Sequence, residues 1–136
     1  MIKIKITKTE NSTLNELDFD HIPLGKIFTD HMFICDYENG SWNNPRIVPM
    51  QTIATHPATM ALHYGQAIFE GMKATLNAAG VPLLFRPSKN AARLNTSAVR
   101  MGMPELPQEI FSEGLKQLVN LDKDWIPKKK GSAMYL

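Results

Sequence analysis

Lys89, Arg93 and Arg100 recur four and seven residues apart in SKNAARLNTSAVR, which sets three cations along one side of a helix. Arg86 stands just before them. A stripe of this kind can hold a phosphate or carboxylate through charge-assisted, two-point hydrogen bonds. A solvated charged face has the same spacing, and composition alone favours that reading. Upstream, ALHYGQAIFEGMKA places Tyr64 and Phe69 close to Gly65 and Gly71. Glycine lets backbone approach a ligand, and aromatic rings supply apolar walls. The same pattern also fits two core residues beside a turn. His63 reads as a structural histidine. No second histidine lies at metal-ligand spacing, so the residues do not indicate a zinc site.

The elements that must position these groups are legible in outline. Ile2, Ile4 and Ile6 alternate with Lys3, Lys5 and Thr7, which predicts a half-buried edge strand. Residues 8 to 24 are polar and mixed, and are expected to be irregular. His31 to Tyr37 reads as a strand, and Asn39-Gly40 as a turn. The return strand is predicted from Arg46 to Ile53, with Ser41 to Pro45 widening the turn. Pro57 to Ile68 allows a turn or two of helix. Gly71 to Leu76 and Pro82 to Arg86 form a hairpin across Asn77-Ala78-Ala79-Gly80.

Pro87 opens a helix whose apolar face is Ala91, Leu94, Ala98 and Met101, closed by Gly102 and Pro104. Pro107 opens another, with Ile110, Phe111, Leu115, Leu118 and Val119 facing inward. After a lysine-containing loop, Ala133 to Leu136 begins a strand. The class expected is α+β, a mostly antiparallel sheet with two main helices packed on it, in one domain over residues 1–136.

Composition narrows the function classes. A net charge of +2 does not by itself argue for nucleic acid. Lys128, Lys129 and Lys130 lack the interleaved aromatics of a nucleic-acid patch and read as a solvated loop. The single cysteine, Cys35, allows no internal disulfide and is expected to be buried and inert. No apolar run reaches membrane-spanning length, and the alternating N-terminus is not a signal peptide. A cytoplasmic protein fits these features.

The blocks HYGQAIFEGMKA, LFRPSKNAARLNTSAVRMGMPELP, LDKDWIP and GSAMYL, with PLGKIFTDHMF upstream, carry more than any one motif. In this order and at these spacings the chain, from about Ile22 to Leu136, resembles branched-chain amino-acid aminotransferases. These are pyridoxal 5′-phosphate enzymes of fold type IV. The resemblance implies that the chain is the small N-terminal domain, beside a larger domain that completes the cofactor site. Arg93 matches the arginine that binds the cofactor phosphate. Phe69 and Tyr135 match aromatic residues of the substrate side-chain pocket. Tyr64 matches a tyrosine that reaches the active site of a neighbouring subunit, which implies a homodimer. Leu24 falls where many members place an aromatic pocket residue, so the pocket stays apolar with its shape altered. The implied substrates are leucine, isoleucine and valine with 2-oxoglutarate.

The family takes the lysine that forms a Schiff base, and the acid beside the pyridine nitrogen, from the large domain. Lys73 is not the matching lysine. The resemblance therefore implies a truncated domain, inactive alone, that does not retain the cofactor. Its last strand leaves an open edge that invites self-association. Within the same fold, a D-amino-acid aminotransferase or an aminodeoxychorismate lyase stays open, with LFRPSKN and LDKDWIP favouring the branched-chain enzyme. Outside it, a stand-alone anion-binding module using the Arg93 face, or a purely structural interaction domain, stays open as well.

Overall fold

A computed structural model describes residues 2–23 and 25–136. Its strands are β1 (Lys5–Ile6), β2 (His31–Glu38), β3 (Ser41–Pro49), β4 (Lys73–Leu76), β5 (Pro82–Leu84) and β6 (Met134–Tyr135). Its helices are α1 (Met60–Tyr64), α2 (Pro87–Arg100) and α3 (Gln108–Leu121), with short 3-10 turns at Leu14–Glu16 and Lys123–Trp125. The class is α+β, as expected. The strands form two three-stranded sheets, in the orders β1-β3-β2 and β5-β4-β6, where the sequence suggested one. Among the described residues only the β1–β3 pairing is parallel.

The first hairpin departs from the sequence reading at its turn. Asn39 and Gly40 both take positive φ, 52° and 80°, and Glu38 pairs directly with Ser41. That is a two-residue turn of the kind Asn-Gly favours, because both central residues must be left-handed. The return strand therefore begins at Ser41 and ends at Pro49. Pro45 is accommodated at a bulge, where the register shifts between Ile34 and Asp36. Residues 51–53, expected to be strand, lie outside any element. β1 is shorter than its alternation suggested, and Ile6 is exposed.

The main core lies between α3 and the second sheet. Ala74 of β4, Met134 of β6 and Val119 of α3 meet Trp125 and Ile126 of the following turn. Val119 and Ile126 are fully buried, each contributing about 1.5–3 kcal/mol. The other side of α3 rests on the first sheet, where Gly114 admits the Phe33 ring. A Cβ at Gly114 would lie 2.8 Å from that ring. Polar pairs join the long N-terminal segment to this frame. His31 accepts the Thr9 N–H on Nε2 at 2.9 Å, so Nδ1 carries the proton and donates to Asp122 at 2.6 Å. Asp122 also accepts the His31 backbone N–H at 3.0 Å. Trp125 donates its indole N–H to Asp30 at 3.0 Å, and Ser12 donates to the same carboxylate at 2.6 Å.

Two smaller expectations change. Cys35 is half-buried rather than buried, because its strand lies at the open side of the first sheet, and its thiol donates to the Asn43 carbonyl. Partial burial raises its pKa. His63 is exposed on α1, not embedded in the structure. Lys128, Lys129 and Lys130 are solvated as expected, with Lys129 3.1 Å from Asp20.

Candidate functional site

The helix that carries the basic stripe starts where the sequence places it. Pro87 supplies a fixed φ in the first turn, where a backbone N–H is dispensable. Ala91 and Ala98 are buried, so the opposite side of α2 faces outward with Lys89, Arg93 and Arg100 exposed. Beside α2 runs the extended segment that follows α1. Gly65, at φ 61°, ends α1 in the left-handed conformation. Gln66 then donates to the Met101 carbonyl at 2.9 Å, and Asn90 donates to the Gly71 carbonyl at 3.2 Å. The segment is thus tied beside both ends of α2. Between the ties lies an open apolar groove of about 610 Å³, with Ile68 and Phe69 on one wall and Thr96, Ser97 and Arg100 on the other.

Arg93 lies on α2 one turn before Thr96 and Ser97, on the same side of the helix. It meets Glu70 side-on: Nε donates to Oε2 at 2.8 Å and Nη2 donates to Oε1. Glu70 also accepts the Gly71 N–H at 2.8 Å and an N–H of Asn90 at 3.4 Å. The hydrogen bond from Arg93 holds the Glu70 carboxyl down from its ordinary 4.5 to about 2, against a smaller opposing effect of desolvation. The same bond raises the pKa of Arg93. The Arg93 side chain is 67% exposed and that of Glu70 only 9%. Nη1 of Arg93 has no hydrogen-bond partner among the described residues.

Tyr135 enters from β6, opposite Lys73 of β4. Its ring covers Gly71 so closely that a Cβ there would collide with the phenol. Arg93 thus pairs with Glu70 and Tyr135 rests on Gly71, while Phe69, the residue before Glu70, lines the groove beside α2 and Tyr135 a separate cleft. Phe69 is 88% exposed, which excludes the reading of it as a core residue. Tyr64 stands apart at the end of α1, 78% exposed, with its ring centroid 6.4 Å from that of His63. Arg86 takes a left-handed backbone at φ 51° and lies over the Phe85 ring. Leu24 falls outside the described residues. Its neighbours Pro23 and Gly25 share with Tyr135 and Trp125 a second apolar cleft of about 760 Å³.

Glu70 and Asn90 escaped the sequence reading. Asn90 is three residues before Arg93, so helical spacing could have flagged it. Glu70 is 23 residues from Arg93 and has no local signal. Chemically, the arrangement is an exposed guanidinium, fixed along one edge by a carboxylate, on a helix that also lines an apolar groove. Such a site suits a ligand with an anionic group and an apolar body.

Comparison with known proteins shows which proteins the chain resembles. No family model matches the chain. The branched-chain-amino-acid aminotransferase 2 of Bacillus subtilis is 44% identical over 136 residues, which is 99% of this chain and 37% of that protein. The branched-chain-amino-acid transaminase 1 of the same organism is 48% identical over 120 residues, 88% of this chain and 34% of that protein. A branched-chain-amino-acid aminotransferase of Mycobacterium tuberculosis is 46% identical over 114 residues, 82% of this chain and 31% of that protein. The chain spans about a third of the length of these curated relatives. Over that span it is a homologue of branched-chain-amino-acid aminotransferases.

Proposed function

We propose that these residues are the small N-terminal domain of a branched-chain amino-acid aminotransferase, and that Arg93 holds the phosphate of pyridoxal 5′-phosphate. The observation that carries this reading is the state of Arg93. One edge of its guanidinium is committed to Glu70, while Nη1 has no partner among the described residues and the side chain is largely open. A guanidinium binds phosphate by this kind of two-point contact. The donor chemistry therefore fits the group.

When bound, the cofactor supplies an electron sink for loss of the substrate α-proton. The residues here contribute position and exclusion of water. Arg93 fixes the anionic end. Phe69 and Tyr135 present apolar surface to a leucine, isoleucine or valine side chain, which offers no polar handle and is selected by size and contact. The family resemblance assigns Leu24 to the same pocket. Tyr64, exposed on the surface, serves the site of a second subunit in a homodimer on this reading. The lysine that carries the cofactor and the acid that partners its ring nitrogen come from a large domain outside these residues. The 136 residues alone then transfer no amino group to 2-oxoglutarate and do not retain the cofactor tightly. The whole protein works in the cytoplasm.

The test is phosphate binding by the chain, followed through the side-chain Nε–H signal of Arg93 in nuclear magnetic resonance. Saturable binding that shifts this signal, and that Arg93→Ala abolishes, is the expected result. Binding unchanged in Arg93→Ala contradicts the assignment.

A further inference from the structure

We infer that Glu70 is the positioning residue for Arg93, orienting the guanidinium so that its remaining edge faces an incoming phosphate. This rests on the reading of Arg93 as the phosphate-binding arginine and adds the group that makes it competent.

An exposed arginine has many rotamers, and a ligand must freeze them when it binds. Here the freezing is already done. Glu70 takes Nε and one N–H of Nη2, the side-on pairing of a carboxylate with a guanidinium. Five N–H groups radiate from a planar guanidinium, so this pairing leaves Nη1 and the outer N–H of Nη2 pointing together along the other edge. Two N–H groups in that arrangement match two oxygens of a phosphate. Carboxylate and phosphate therefore use different edges of one plane and do not compete for the same donors.

Glu70 is itself fixed. Its carboxylate accepts the Gly71 N–H at 2.8 Å and an Asn90 N–H at 3.4 Å, and its side chain is 9% exposed. The partner it orients is 67% exposed. A firmly held acid gripping a loosely covered base is the arrangement expected when the acid serves the base. Glu70 also lies between Phe69 and Gly71, the glycine against which the Tyr135 ring rests.

The experiment titrates inorganic phosphate into the wild-type chain and into Glu70→Gln, Glu70→Asp and Gln66→Ala. Affinity and the mobility of the Arg93 side chain are read by nuclear magnetic resonance, and folding by the backbone spectrum. Glu70→Gln removes the charge and half of the paired acceptors. It is expected to weaken phosphate binding by roughly three- to ten-fold, the effect of freeing one rotamer-rich side chain, and to make the Arg93 Nε–H mobile. Glu70→Asp keeps the charge but cannot span the gap. It is expected to weaken binding in the same direction, and it serves if Glu70→Gln loses its fold. Gln66→Ala cuts the other tie of the segment without touching Glu70 and should leave affinity unchanged, which separates orientation of Arg93 from anchoring of the segment. If Glu70→Gln binds phosphate as tightly as wild type, or more tightly because a negative charge is gone, Glu70 does not position Arg93. The phosphate reading of Arg93 then still stands. If the wild-type Arg93 signal does not respond to phosphate, that reading fails and the inference fails with it.

Discussion

The pair Glu70–Arg93 has a measurable signature besides ligand binding. The Glu70 carboxyl is lowered from 4.5 to about 2 in the folded chain. Between these values the unfolded chain binds a proton that the folded chain does not, so stability falls as pH falls. The contribution is fully present above about 4.5 and gone once pH passes below about 2. We expect urea-unfolding midpoints measured from pH 6 to pH 2 to decline less steeply in Glu70→Gln than in wild type. Parallel profiles would mean that the pair is not formed in solution. The arginine of this pair was legible in the sequence, through helical spacing and family resemblance. The glutamate was not, because an ion pair across 23 residues leaves no periodic trace.

At the scale of elements, the strongest periodic signals translated well. The α2 and α3 helices begin beside the prolines and bury Ala91 and Ala98 in one and Ile110 and Val119 in the other, while Met101, assigned to the α2 face, lies just past the helix and is exposed. The Asn39-Gly40 turn was recognised, but its width was misjudged. Asn43, Asn44 and Pro45 are poor strand formers, and the bulge that absorbs them is a tertiary feature without a local signature. The split into two sheets was equally hidden, since it depends on which strands pair, and β6 pairs with β4 across about sixty residues of chain. What binds these elements is partly polar. His31 and Asp122 are 5% and 3% exposed, and their contact joins β2 to the end of α3 while the imidazole also holds Thr9. Removing the carboxylate leaves a buried ring N–H and the buried His31 backbone N–H without acceptors. Asp122→Ala is therefore expected to cost about 2–4 kcal/mol in chemical denaturation. A loss below 0.5 kcal/mol would mean that water replaces the carboxylate there and that the contact is not structural.

The whole molecule exposes more surface than its mass accounts for. A folded monomer of 15.3 kDa exposes roughly 7,100 Å² by the usual scaling, and this chain exposes 9845 Å². The excess includes large apolar side chains on several elements: Leu62 and Tyr64 of α1, Phe69 beside the groove, Phe85, Val99 and Tyr135 are each more than half exposed. Surfaces of this kind are normally covered by other protein. β5 and β6 also leave unpaired edges on the second sheet. Sedimentation of the chain at increasing concentration is expected to show self-association; a single monomeric species throughout would contradict it. Phe69 and Tyr135, proposed above as substrate walls, are among these open side chains, at 88% and 62% exposed. The most direct measurement of the central claim is a structure determined with pyridoxal 5′-phosphate bound to the protein. The account predicts the phosphate against the outer edge of Arg93, with Glu70 still on the inner edge and Phe69 and Tyr135 beside the ligand. A phosphate held elsewhere, with Arg93 engaged only by Glu70, would contradict it.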